Sequence, residues 1–138
     1  MHEDPPSESI EGVYRTAEPI GHASDGSPCF ILLRFYPEGL VLDAVLCKDV
    51  EADWPQISEW FNRENRDMPG IGSGWYTLRN KTIQFSMIVE DFDWHLFSNY
   101  ERSGEYEPGH IRLSTVVHEN QPSVSQDFIP LRAAENYK

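Results

Sequence analysis

Basic residues are scarce in this chain. Lys and Arg number 11 against 23 Asp and Glu, a formal net charge of −12 over 138 residues. Phosphate backbones and anionic lipid surfaces are bound by basic patches, so this balance argues against nucleic acid or a membrane surface as a partner and leaves a basic protein open. Long apolar runs are also missing. Phe30-Ile31-Leu32-Leu33 is stopped by Arg34, far short of the roughly 20 residues a membrane helix needs. Cys29 and Cys47 are the whole cysteine complement, too few for a disulfide scaffold. None is required, because a domain of this length buries about two-thirds of its unfolded surface. Residues 1–9 have neither the basic start nor the apolar segment of a signal peptide, so a cytoplasmic location is expected, and their acidic, Pro-bearing composition reads as a disordered leader.

Recognisable catalytic chemistry is absent as well. There is no nucleophile motif, phosphate loop or zinc-ligand spacing. His2, His22, His95, His110 and His118 are scattered. The run Glu90-Asp91-Phe92-Asp93 lacks the Gly and the spacing of a calcium loop and reads as a solvated turn. No enzymatic activity, cofactor or metal is expected.

What the chain does have is a succession of short β-like runs separated by turn residues. They cover residues 10–18, 29–36, 40–47, 74–79, 82–89, 94–102, 110–118 and 124–131. Pro37-Glu38-Gly39 suits a three-residue hairpin loop with Gly at the left-handed position, which would pair Tyr36 with Leu40 and Cys29 with Cys47. Asn80-Lys81 suits a two-residue turn. It would put Tyr76, Leu78, Ile83, Phe85 and Met87 on one face and Thr77, Arg79, Thr82, Gln84 and Ser86 on the other, with Trp75 an apolar exception among the polar residues. Residues 103–109 and 119–123 read as turn material. Short connections imply sequential antiparallel neighbours. The predicted fold is therefore all-β, an eight-stranded antiparallel meander barrel in a single domain over residues 10–138, with one short helix inserted after the third strand.

That helix is predicted over residues 53–64. Asp53 is the expected N-cap, Pro55 lies in the first turn, and Gln56 holds the capping-box position. Trp54, Ile57, Trp60 and Phe61 form an apolar stripe. The stripe has two possible seats, the open end of the barrel or the outside of the 29–47 hairpin. The barrel end is favoured, where the helix would act as a lid and Trp60 would line a ligand site. The hairpin itself is apolar on both faces. One face carries Arg34 among its apolar residues and the other Asp43, so whichever turns inward brings a charge that must be paired or solvated. The outer face needs cover from the helix or from a second copy, which leaves monomer and dimer both open. Cys29 and Cys47 face each other in this register, but a reducing cytoplasm favours two free thiols.

Gly-x-Tyr recurs as Gly12-Val13-Tyr14, Gly74-Trp75-Tyr76 and Gly104-Glu105-Tyr106, read as a structural device: Gly lets a strand bend into a barrel and places Tyr on the same face. With Gly12-Val13-Tyr14 opening the first strand and Arg132 just after the last, residues 10–132 resemble the lipocalin-like (calycin) families. Those are meander barrels that often hold a small apolar ligand, open on Gly-x-Trp, and pack a late basic residue across that ring. Here Tyr14 stands in place of Trp, and the helix after the third strand departs from the family plan. The resemblance implies a barrel binding a small apolar or amphipathic ligand, lined by Tyr14, Arg34, Trp60, Tyr76 and Phe85, with an inward Arg34 as carboxylate anchor. The other reading is an acidic protein-interaction module of inhibitor or immunity type, its core filled by aromatics and its surface meeting a basic partner.

Overall fold

Local turn chemistry sets the frame. Asn80 and Lys81 both adopt left-handed φ, 51° and 70°, the two-residue turn whose twist matches that of the strands it joins. It locks Arg79 opposite Thr82 and carries the register up to Ser73 and Ile88. At Pro37-Glu38-Gly39 the Gly39 N–H donates to the Tyr36 carbonyl (3.0 Å) and the Tyr36 N–H to the Leu40 carbonyl (2.9 Å). The hairpin then pairs Phe35 with Val41 and, at its far end, Cys29 with Cys47.

The computed structural model describes residues 8–90, 97–116 and 124–135. Its strands are β1 (Gly12–Thr16), β2 (Gly21–His22), β3 (Pro28–Phe35), β4 (Leu40–Cys47), β5 (Gly72–Arg79), β6 (Thr82–Glu90), β7 (Phe97–Glu107), β8 (His110–Val116) and β9 (Val124–Pro130). The helical pieces are α1 (Trp54–Ile57), a 3-10 turn (Arg63–Asn65) and α2 (Arg132–Glu135). The sheet runs β1-β9-β8-β7-β6-β5-β4-β3 and closes on itself through β1–β3 pairing, with β2 added on β3. This is a closed eight-stranded antiparallel barrel with one extra strand. No helix among the described residues is long and apolar enough to cross a membrane. His2, Trp94, His95, His118 and residues 91–93 of the acidic run lie outside the described residues, as do residues 1–7 of the leader. Glu8, which is described, accepts a hydrogen bond from the Asn80 N–H (2.9 Å).

Three local expectations are corrected. First, β7 does not stop at Arg102 but continues to Glu107, and the turn shrinks to Pro108-Gly109. Ser103-Gly104 looks like turn material in isolation. Within the barrel, Gly104 lies so close to β8 that a Cβ there would run into the Arg112 carbonyl oxygen. Second, the helix is short. Asn62 takes an extended conformation, its Nδ2 donating to the Ser58 (3.2 Å) and Glu59 (3.1 Å) carbonyls while its Oδ1 accepts from the Glu64 N–H (3.1 Å). One side chain thus ends the first helical stretch and starts the 3-10 turn. Asp53 holds the N-cap position without a capping bond, its carboxylate lying 3.7 Å from Lys48 Nζ instead. Third, Cys29 and Cys47 are joined in a disulfide rather than standing as free thiols, because the hairpin register sets them face to face.

A fourth correction concerns where the helix sits. Trp54, Ile57 and Phe61 are buried against Leu32, Tyr36, Leu40, Leu42 and Ala44, on the outside of the β3–β4 hairpin. They do not cap the barrel end. The inward hairpin face is the other one, with Ile31, Leu33, Phe35, Val41 and Asp43. Arg34 explains part of this choice. On the outer face its Nη1 donates to the Phe61 carbonyl at 2.7 Å, and its guanidinium lies 5.5 Å from both the Tyr36 and Trp54 rings. The charge is partnered at the edge of the cluster instead of entering the barrel.

Candidate functional site

The residues read from the sequence as ligand-lining divide between two sides of the sheet. Tyr14, Tyr76 and Phe85 point into the barrel and surround Phe35, with ring centroids 5.7, 5.5 and 6.1 Å away in edge-to-face contacts. Arg34 and Trp60 lie outside, in the cluster that seats the helix. Arg132 opens α2 on the surface. All three tyrosines of the Gly-x-Tyr echo belong to the inner cluster, Tyr14 and Tyr76 fully and Tyr106 in part. Tyr76 ties down one barrel end. Its hydroxyl accepts from the Ile10 N–H (2.9 Å) and donates to the Tyr36 carbonyl (2.8 Å), drawing buried Ile10 against the core.

Side chains fill this half of the interior. Leu33, Phe85, Ile83, Leu113 and Phe128 are essentially without exposure. Burial, the largest cause, raises the phenol pKa of Tyr14, Tyr76 and Tyr100 above the ordinary 10.0. A raised phenol pKa means the unfolded chain releases these protons first as pH climbs. Their contribution to stability is therefore constant below the ordinary value and is lost as pH rises above it. The urea midpoint is expected to fall steeply only above about pH 10, with the ring signals of Tyr14, Tyr76 and Tyr100 titrating only as the near-ultraviolet dichroism is lost. Titration of those three rings at the free-tyrosine pH in a still-folded barrel would contradict this.

The other half of the interior holds a polar cluster. Asp43 and Arg102 are both 5% exposed. Arg102 Nη1 donates to Asp43 Oδ2 at 2.6 Å, and the Tyr100 hydroxyl donates to the same oxygen. Arg102 Nε donates to Thr115 Oγ1 (3.1 Å), and the guanidinium lies 4.8 Å from the Tyr100 ring centroid. Gly72, opposite Asp43, leaves room for the carboxylate, since a Cβ there would collide with Asp43 Oδ1. Of the two hairpin charges it is Asp43 that turns inward, not Arg34, the expected carboxylate anchor. The partner of Asp43 comes from β7, where Arg102 shares a face with Tyr100, Gly104 and Tyr106, a pairing that the hairpin pattern alone does not reveal.

An open groove of about 590 Å³ runs along the outer face of β5 and β6, where the side chains of Trp75, Thr77, Gln84, Ser86 and Ile88 face it. A smaller one of about 220 Å³ is formed by residues 16–20 and 125–127. The larger groove contains two apolar side chains left in water, Trp75 at 60% and Ile88 at 54% exposure. Trp75 is the apolar exception noted in the alternation. Among the described residues, no group of three or more His, Cys, Asp or Glu side chains is placed to hold a metal ion.

Fold and surface together define a closed β-barrel with a packed interior half, an internal ion pair, and one aromatic groove on its outer wall. No protein-family model, no curated protein and no solved structure matches this chain.

Proposed function

We propose that this barrel is an acidic protein-interaction module, of the kind that inhibits or neutralises a basic partner. The observation that carries the reading is the packed half of the interior. Aromatic and aliphatic side chains take up the space where a carrier would hold its ligand, while Trp75 and Ile88 are left facing solvent. The net charge of −12 adds long-range attraction toward a basic surface and faster encounter with it.

A second reading, a lipocalin-like barrel for a small amphipathic ligand, draws support from the Asp43–Arg102 pair, which places hydrogen-bonding groups inside the barrel. Calorimetric titration with a fatty acid and with an apolar naphthalene sulfonate dye separates the two. The module reading expects no saturable uptake by the folded protein. Saturable one-to-one binding, weakened by Arg102→Met, would replace it with the carrier reading.

A further inference from the structure

Pairing across three strands puts Trp75 opposite Ser86 and Ser86 opposite Glu101. The row lies on the outer face of the barrel. Adjacent strands are about 4.8 Å apart, so the indole and the carboxylate stand roughly 10 Å apart at the backbone with only a serine between them. The Ser86 hydroxyl lies 3.5 Å from Glu101 Oε1, turning the carboxylate toward this gap. Ile88 supplies an apolar shoulder one row away, and the groove lining itself carries no charge, Glu101 standing at its edge on β7 beside Ser86. Arg79 and Lys81, exposed at the turn end, close that direction to a cation.

A guanidinium is the side-chain group that suits both walls. It stacks flat on an indole and hydrogen-bonds a carboxylate with the same planar fork. We infer that this groove docks an extended arginine-bearing segment of a basic partner protein, with the arginine laid across Ser86 between Trp75 and Glu101. The inference rests on the interaction-module reading and names its surface. A second copy of this chain is the poorer occupant. It would bring −12 against −12 and present Glu101 to a face that already holds one.

The test uses the full chain, isotope-labelled, titrated at low salt with a short synthetic peptide alternating Arg and Val, and with the same peptide carrying citrulline for Arg. Saturable shifts are expected at the Trp75 indole N–H and at the amides of Ser86, Ile88 and Glu101. Trp75→Ala, whose fold is checked by circular dichroism, should weaken binding about tenfold, as loss of a cation–π contact implies. Glu101→Gln should weaken it about threefold, and the citrulline peptide should fail to bind. Shifts spread evenly over the acidic surface, or indifference to Trp75→Ala, would overturn the inference. So would sedimentation showing a dimer that Trp75→Ala dissolves, since the groove then belongs to a second copy. Saturable peptide binding at another face would overturn this surface while leaving the module reading in place. Fatty-acid uptake without peptide binding would remove both.

Discussion

Arg102→Met alone is expected to destabilise the barrel by about 3–5 kcal/mol, the usual consequence of stranding one partner of a buried ion pair. Asp43 lies inside the barrel and would keep only its bond from Tyr100. The carboxylate would then have to be protonated, be hydrated through a loosened barrel end, or stay charged in a poorly polar surround. Replacing both members, as Asp43→Leu with Arg102→Met, should recover most of the loss, because an apolar pair of similar volume avoids the desolvation of both charges. Urea unfolding of the two single variants and the double variant measures the coupling. If the double variant loses as much as the two singles added together, the groups act independently and the internal pair is not what holds this end of the barrel.

Phe85→Ala should cost about 3–5 kcal/mol, in the range of large aromatic truncations in a core. Phe85 touches Phe35 edge to face at 6.1 Å, and Phe35 in turn contacts Tyr14 and Tyr76, so the cavity would open at the centre of the aromatic cluster. Gln84→Ala, one residue away on the outer wall, should stay within about 0.5 kcal/mol. A strand shifted by one residue would exchange these two environments. Equal losses in chemical denaturation would therefore contradict the pairing of Tyr76 with Phe85 and Thr77 with Gln84.

Features set by neighbours in the chain were legible without coordinates. The φ of Asn80 and Lys81 answers to the two-residue turn, and with that turn in place the alternation from Gly74 to Met87 sorts each side chain to a face. The Pro37-Glu38-Gly39 loop likewise counted the hairpin out to Cys29 opposite Cys47. Trp75 was legible as an anomaly, since it broke an otherwise polar face. Its relation to Glu101 was not, because that depends on the β6–β7 register, and Glu101 belongs to a strand whose full length was missed.

The sequence by itself determined that this chain is an antiparallel meander, which turns join β3 to β4 and β5 to β6, and that one charge of the β3–β4 hairpin would face inward. Those outcomes follow from backbone geometry and period-two patterning, which act over a few residues. Only the tertiary structure decided which charge it was. Both faces of the hairpin are apolar, so local burial energy barely separates them. The choice fell to partners far along the chain, with Arg102, 59 residues from Asp43, meeting it inside and the Phe61 carbonyl, 27 residues from Arg34, meeting it outside. An unpaired buried charge costs more than the small difference in burial between the two apolar faces, so the availability of a partner, and with it the seat of the helix, is decided by the closed barrel as a whole.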